Sequence, residues 1–277
     1  MSQMYEALRQ MEKEQEQKLG RTASPRPPEL LHETIAKKPE FTGSSTQLTI
    51  RPAPGVIALT EPKSSGAEKF RSLAARIDFI RRQNKMRSFQ VTSSMNGEGK
   101  TFVATNVAIT LSKYSSARVL LVEGDLHRPT IADLLGQRDL KGITQWWSGR
   151  DQDLDRLLYR LDEMPLWLLG AGAVAEQPSE ILQSTRFVEA FKRLADCFDW
   201  IVVDSTPMLP IIDATLWSRL LDGTLLVIRE GVASVQALKR GIESFDSLKL
   251  IGTVMNGTSK SDLAAYGNKY YSAGKKA

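Results

Sequence analysis

The sequence is poor in the residues that build metal centres and disulfides. Among its 277 residues it has one cysteine, Cys197, and two histidines, His32 and His127. One cysteine excludes a disulfide framework and a cysteine-ligated metal or iron–sulfur site, and two histidines leave little room for a histidine-ligated metal. No hydrophobic run approaches the 18 residues of a membrane-spanning helix. Because the N-terminus also lacks a signal-peptide pattern, the sequence predicts a soluble, cytoplasmic protein.

The chain also has only a small net charge. The chain carries 37 lysines and arginines against 32 aspartates and glutamates, a net charge of +5. Residues 257–277 contain four lysines and one aspartate, so they account for +3 of that excess. A balance this mild is typical of an ordinary solvated surface, and we expect no nucleic-acid partner.

The first 60 residues differ in composition from the rest of the chain. Six of the twelve prolines lie there, with few aromatic residues, which predicts a flexible linker over about residues 20–60. Before it, Met4, Leu8 and Met11 share one side of a short amphipathic helix. This helix either docks on a partner or membrane surface or is simply solvated. Residues 1–60 are therefore expected to be a short helix and a linker.

From residue 61 onward, apolar strand-like runs alternate with segments of helical periodicity. The predicted helices cover 68–82, 101–113, 187–197 and 233–248. The predicted strands are 88–92, 118–123, 166–172, 200–204, 223–229 and 250–256. Strands separated by helices form parallel sheets covered on both faces. The sequence predicts an α/β fold with a doubly wound, mostly parallel sheet flanked by helices over residues 61–256.

A glycine-rich turn follows the first of these strands and leads into a helix. It reads TSSMNGEGKTF and ends in the GK[ST] half of a phosphate-binding P-loop. Glycines let the backbone amides curl around phosphate oxygens, the lysine reaches the β- and γ-phosphates, and the threonine hydroxyl binds Mg²⁺. The nucleotide-binding residues predicted here are Asn96, Gly97, Glu98, Gly99, Lys100, Thr101 and Phe102.

Two later strands end in carboxylates. Glu123 and Asp125 close the run VLLVEGD, and Asp204 closes WIVVD in the manner of a Walker B strand. Ligands of open parallel sheets bind at the carboxyl ends of the strands. We therefore expect Asp125, Asp204 and Thr101 to converge and to supply oxygen ligands to a nucleotide-bound Mg²⁺. The predicted fold is that of a P-loop NTPase.

Several motifs in order resemble the bacterial tyrosine kinase family, the cytoplasmic autokinases of capsule and exopolysaccharide export. EPKSSGAEKFRSLAARIDF resembles the family's helix before the P-loop, and TSSMNGEGKT resembles its P-loop. VLLVEGDLHRPT resembles its second, Walker A′ motif. QPSEILQS and WIVVDSTPMLPIIDA resemble its N-P-x-E-L-L-x-S and Walker B segments. The resemblance spans about residues 61–256.

This resemblance implies ATP- and Mg²⁺-dependent autophosphorylation of a C-terminal tyrosine cluster. The segment 257–277 would be a flexible tail whose acceptors are Tyr266, Tyr270 and Tyr271. It also implies a transmembrane polysaccharide co-polymerase as activator, a tyrosine phosphatase, and self-association into rings. The protein would then lie at the inner face of the plasma membrane through its partner.

The resemblance also suggests roles for single residues. Lys100, Glu123, Asp125 and Asp204 are the expected catalytic residues, with Glu123 or Asp125 taking or steering the tyrosine proton. Two further residues are less constrained. Arg128 either contacts phosphate or is a surface arginine before a turn, and Asn256 is expected to read the adenine edge.

The chain departs from the family pattern at four positions. Glu123 stands where aspartate is usual, and its longer side chain changes the geometry offered to a metal. Asn96 replaces a proline of the loop, and His127 replaces the first arginine of the Walker A′ motif. Ala74 replaces the second arginine of the E-x-x-R-x-x-R pattern used in ring assembly, so that pattern is incomplete.

Other functions compete with the kinase. A Min/Par-type ATPase would carry a signature lysine where Met95 stands, and a GTPase would need an NKxD motif that MNGTSK does not match. An iron–sulfur reductase would need more cysteines. A nucleotide-binding scaffold of the export machinery with little kinase activity stays open, because of Glu123 and the three-tyrosine tail.

Overall fold

The chain folds around an eight-stranded sheet. The structure, a computed structural model, describes residues 45–257 except 116, 150–152, 210–211, 233–235, 237, 239 and 242–248. The strands are β1 (Thr46–Leu48), β2 (Ser88–Ser93), β3 (Val119–Glu123), β4 (Leu158–Leu161), β5 (Leu166–Leu169), β6 (Trp200–Asp204), β7 (Gly223–Arg229) and β8 (Leu250–Asn256). Their spatial order is β1-β4-β5-β3-β6-β2-β7-β8, and every neighbouring pair is parallel except β4 and β5.

Helices connect most of these strands. They are α1 (Ile57–Thr60), α2 (Ser65–Asn84), α3 (Lys100–Ser115), α4 (Ile131–Leu134), α5 (Ile143–Trp147), α6 (Pro178–Gln183), α7 (Thr185–Ala195) and α8 (Asp213–Leu220). A short 3₁₀ helix, Leu154–Leu157, precedes β4. The predicted mostly parallel α/β fold is confirmed.

The sheet separates two hydrophobic cores. Successive side chains of a strand point to opposite faces, so Val119 and Leu121 of β3 enter one core while Leu120 and Val122 enter the other. Helices α2 and α3 cover the first face, and α7 and α8 cover the second. Burial on both faces explains why these strands read as continuous apolar runs.

The predicted linker is wrong for its last part. Within residues 20–60, β1 pairs with β4, α1 forms, and Val56 is fully buried. The buried amide of Asn106 in α3 holds this segment, donating to the Gly55 carbonyl and accepting from the Ala58 N–H, both at 2.9 Å. A side chain 48 residues away thus orders a stretch whose local composition indicates a linker.

Several predictions lie outside the described residues. They are the N-terminal helix, residues 20–44 of the linker, most of the helix predicted at 233–248, and the tail with its three tyrosines. In the part of the chain that the structure does describe, no helix is both long and apolar enough to cross a membrane.

Candidate nucleotide-binding and active site

The P-loop, residues 94–99, joins the end of β2 to the start of α3. Gly97 and Gly99 have φ angles of +84° and +95°, which side-chain-bearing residues rarely adopt. Glycine is required at 99 for a second reason, because a Cβ there would overlap the side-chain amide of Asn256. That amide donates a 2.8 Å hydrogen bond to the Glu98 carbonyl. Asn256 therefore lies against the loop backbone, and its reading of adenine stays a prediction.

Glu98 is buried although its neighbours Asn96 and Gly97 are exposed. Its carboxylate accepts hydrogen bonds from the Ser94 hydroxyl and from the backbone N–H groups of Met95 and Arg229. The side chain of Glu98 therefore supports the loop from within. Sequence reasoning placed Glu98 among the nucleotide-binding residues but gave its side chain no such role.

Lys100 begins α3 and is only 9% exposed. Its Nζ lies 2.8 Å from Asp125 Oδ2 and 3.9 Å from Asp204 Oδ1. Burial disfavours the charged form of Lys100, but Asp204 and Asp125 outweigh this effect and raise its pKa. The structure thus brings together three of the four predicted catalytic residues around one buried ammonium group.

Asp204 is the least satisfied polar group of this cluster. It is 1% exposed, and neither carboxylate oxygen has a hydrogen-bond partner among the described residues. Burial raises its pKa to about 7, against the lowering effects of the nearby Lys100 ammonium and Thr101 hydroxyl. A buried carboxylate without a hydrogen bond is costly, and such groups in proteins commonly pair with cations, as Asp204 does with Lys100, or coordinate metals.

Glu123 lies beside Asp204, since the two residues are paired in the β3–β6 register. Its carboxylate accepts from the Ile131 N–H at 2.6 Å and from the Ala171 N–H at 3.2 Å. Burial raises the pKa of Glu123, and these two hydrogen bonds oppose the rise. Each oxygen thus accepts a hydrogen bond from the backbone, whereas Asp125 is the carboxylate that accepts from the Lys100 ammonium.

Gly124 sets the path of the chain between these carboxylates. A Cβ at this position would lie 2.6 Å from Val203 Cγ1 and 2.8 Å from the indole nitrogen of Trp217. That indole nitrogen donates to the Gly124 carbonyl at 3.1 Å, and the Gly124 N–H donates to the Asp204 carbonyl at 2.8 Å. Sequence reasoning missed Trp217, because its contact with residue 124 bridges 93 positions of the chain.

The Walker A′ turn after Asp125 contributes one further side-chain contact. His127 Nε2 lies 3.0 Å from Oδ2 of the buried Asp213 at the start of α8. The Arg128 backbone N–H donates to Asp125 Oδ1 at 3.0 Å, while its side chain is exposed. His127 thus links two loops of the site, whereas the Arg128 side chain is placed as a surface arginine would be.

The two helix residues after Lys100 have different surroundings. The Thr101 hydroxyl is partly exposed and accepts from the Thr130 hydroxyl at 3.3 Å. The Phe102 ring packs edge-on against Phe70, with centroids 5.5 Å apart, so its side chain serves the core.

These residues fit a magnesium-bound nucleotide. Mg²⁺ in nucleotide sites is held by one or two carboxylates, a hydroxyl and phosphate oxygens. The Asp204 oxygens, which accept no hydrogen bond among the described residues, offer that set of oxygen ligands together with Asp125 and Thr101 at the same edge of the sheet.

Comparison with known proteins identifies the family. The sequence is 30% identical over 218 residues to the tyrosine-protein kinase YwqD of Bacillus subtilis (strain 168), covering 78% of this chain and 90% of YwqD. The chain belongs to the bacterial tyrosine kinase family. It is also 26% identical over 212 residues to the tyrosine-protein kinase Etk of Escherichia coli (strain K12), of which it spans only 29%. No family model matches the sequence.

Solved structures agree with this assignment. The BceF tyrosine kinase domain superposes with a TM-score of 0.67 at 26% identity, covering 80% of this chain and 94% of that domain. The cell division ATPase MinD of Pyrococcus furiosus superposes with a TM-score of 0.52 at 24% identity, over 63% of this chain and 74% of MinD. The likeness to MinD shows the shared P-loop fold alone. The predicted family, P-loop fold and enzyme class, a protein-tyrosine kinase, are confirmed.

Proposed function

We propose that this tyrosine kinase transfers the γ-phosphoryl group of Mg²⁺-bound ATP to tyrosines of its own C-terminal tail. The observation that supports the proposal most is the buried Lys100 ammonium, held between Asp125 and Asp204 at the start of α3. Phosphoryl transfer depends mainly on positioning and charge neutralisation, and this cluster supplies both. The P-loop amides and Lys100 would hold the phosphates.

The site residues divide the chemistry between them. Thr101, Asp125 and Asp204 would hold Mg²⁺, which when bound offsets negative charge on the phosphates. The tyrosine oxygen attacks the γ-phosphorus as the bond to ADP breaks, and the phenolic proton must leave during the attack. Of the two carboxylates predicted to take or steer that proton, we favour Asp125. Asp125 lies 2.8 Å from the Lys100 ammonium that would hold the γ-phosphate, whereas Glu123 accepts from the backbone N–H groups of Ile131 and Ala171.

The tail is suitably connected to this site. Strand β8 ends at Asn256, whose amide contacts the P-loop, so the remaining residues start beside the nucleotide site. Tyr266 follows ten positions later, a reach of up to roughly 35 Å for an extended chain. This reach allows transfer within one chain or to a neighbouring copy.

We place this activity in the control of capsular or exopolysaccharide polymerisation and export. The kinase would lie at the inner membrane face through a transmembrane co-polymerase that activates it, and a tyrosine phosphatase would reverse its action. Etk is much longer than this chain, which matches only 29% of it. A separate partner would supply here what the rest of Etk supplies within one chain. Self-association stays part of the proposal, with one restriction. Ala74 is buried in the core, so this position does not present a side chain to another subunit.

Incubation with Mg·ATP followed by phosphopeptide mapping tests the proposal. Replacing Tyr266, Tyr270 and Tyr271 together by Phe should remove most phosphotyrosine while leaving ATP binding unchanged. Lys100→Met should abolish the phosphotyrosine signal, because the γ-phosphate loses its main cation. Equal labelling of the triple Phe variant and the native chain would exclude the tail as main acceptor. A native chain that binds ATP but stays unlabelled, even with the activator's cytoplasmic segment, would favour the scaffold function.

A further inference from the structure

The carboxylate of Glu98 is enclosed within the P-loop. Its Oε2 accepts from the Ser94 hydroxyl at 2.8 Å and from the Met95 N–H at 2.7 Å. Its Oε1 accepts from the Arg229 N–H at 3.2 Å. The side chain is fully buried, so these hydrogen bonds are shielded from water.

These contacts fasten the loop to the ends of two strands. Arg229 is the last residue of β7, and its guanidinium also donates to the Gly97 carbonyl at 3.3 Å. Asn256, the last residue of β8, donates to the carbonyl of Glu98 itself. Strand β2 has β7 on one side and β6, which carries Asp204, on the other. The loop is therefore held on the side opposite to the carboxylate cluster.

We propose that Glu98 is a positioning residue that keeps the P-loop in its phosphate-binding shape before nucleotide binds. This inference rests on the nucleotide binding of the proposed function. Nucleotide phosphates repel a carboxylate, so direct contact with them does not account for glutamate at this position. An ionised carboxylate only accepts hydrogen bonds, which suits a position that faces three donors.

Glutamine separates this role from simple space-filling. In Glu98→Gln the amide oxygen can still accept hydrogen bonds from the donors on one side, but the amide NH₂ group then faces a donor on the other side. With the oxygen kept toward Ser94 and Met95, the link to Arg229 is lost. The loop would then become ordered only when nucleotide binds. The free energy spent on ordering the loop would lower the affinity for nucleotide.

The test compares the full-length Glu98→Gln and Glu163→Gln variants with the native chain. Glu163 is an exposed glutamate of the turn before β5, so its variant makes the same chemical change away from the P-loop. Calorimetric titration with Mg·ADP should show a dissociation constant about tenfold higher in Glu98→Gln, as expected for one lost buried hydrogen bond. Glu163→Gln should bind as the native chain does. The KM for ATP should rise in Glu98→Gln, whereas kcat at saturating ATP should stay within about threefold, since bound nucleotide restores the loop.

A Glu98→Gln affinity within twofold of the native value would overturn the proposal. If the melting temperature of that variant also falls, Glu98 makes only an ordinary structural contact. If Glu98→Gln does not fold, Ser94→Ala decides, because it removes one donor and keeps the Arg229 link. Native affinity in Ser94→Ala would then overturn the proposal, and a two- to threefold loss would support it.

A native chain that binds Mg·ADP but forms no phosphotyrosine contradicts only the kinase proposal, while one that does not bind contradicts both.

Discussion

Two neighbouring strand ends carry buried carboxylates with opposite surroundings. Glu123 ends β3 and Asp204 ends β6, and the two residues are paired in register. Each oxygen of Glu123 accepts a hydrogen bond from a backbone N–H group, whereas neither oxygen of Asp204 accepts a hydrogen bond in the described part of the chain. Burial alone therefore does not distinguish these two carboxylates, whereas their hydrogen-bond partners do.

The difference also separates two uses of buried charge. At Glu123, hydrogen bonds from the Ile131 and Ala171 N–H groups to one carboxylate connect the loops after β3 and β5, which is a structural use of the side chain. At Asp204, the nearest cation is the Lys100 ammonium at 3.9 Å, and that ammonium lies closer to Asp125. The second arrangement leaves negative charge available to a ligand, as expected of an active site.

Asp204→Asn should have the largest effect in this comparison. Removing this carboxylate weakens Mg²⁺ binding and charge neutralisation, and turnover should fall on the order of 100-fold or more. Phosphotyrosine formation under saturating ATP measures this loss. The matched variant Glu123→Gln should keep turnover within about fivefold of the native chain, because the native Glu123 carboxylate binds backbone N–H groups.

The reverse pattern would assign chemistry to Glu123. If Glu123→Gln lost as much turnover as Asp204→Asn without losing stability, the glutamate would be the proton acceptor. Glu123→Asp adds a useful control, since it keeps the charge but shortens the reach by one methylene. Turnover restored by aspartate but not by glutamine would support the same conclusion.

Glu123→Gln should instead affect stability. One end of the amide would face a backbone N–H donor, leaving it unsatisfied in a buried site, and the free energy of unfolding should fall by about 1–3 kcal/mol. Denaturant titration of the nucleotide-free protein measures this change. Glu163→Gln, which changes an exposed glutamate, should alter stability by less than about 0.5 kcal/mol. Equal stability of the two variants would contradict the structural role of Glu123.

Sequence patterns anticipated the elements that form the nucleotide site. The bounds predicted for the strands 200–204, 223–229 and 250–256 match β6, β7 and β8. Buried parallel strands such as β6 and β7 are short apolar runs ended by polar residues. The P-loop and its lysine follow from local spacing in the same way. Strand β4, of sequence LYRL, was missed because it is short and only half apolar.

Interactions between distant residues could not be predicted from local patterns. The Glu98 carboxylate meets Arg229 across 131 positions, and the Trp217 indole meets Gly124 across 93. Neither side chain has a sequence neighbourhood that indicates its partner. Glu123 shows the same limit, since its strand-end position indicated catalysis while its actual hydrogen bonds come from two loops. Spacing predicts where a carboxylate lies, but its role depends on which donors the folded chain brings to it.

The smallest effect expected concerns pH. In the folded protein, burial raises the pKa of Asp204 to about 7, whereas an unfolded chain has the ordinary value of 3.8. Between these values the folded state holds a proton that the unfolded state has released, so this group lowers stability as pH rises toward 7. An amide does not titrate, so the Asp204→Asn variant should gain up to roughly 2 kcal/mol relative to the native chain between pH 5 and pH 8. Denaturant unfolding at pH 5 and pH 8, without nucleotide or magnesium, measures this gain. The same measurement on Glu123→Gln gives the stability change at the neighbouring carboxylate for comparison.

A stability difference between Asp204→Asn and the native chain that is the same at both pH values would mean that Asp204 stays ionised throughout. Lys100 would then neutralise it far better than their 3.9 Å separation indicates.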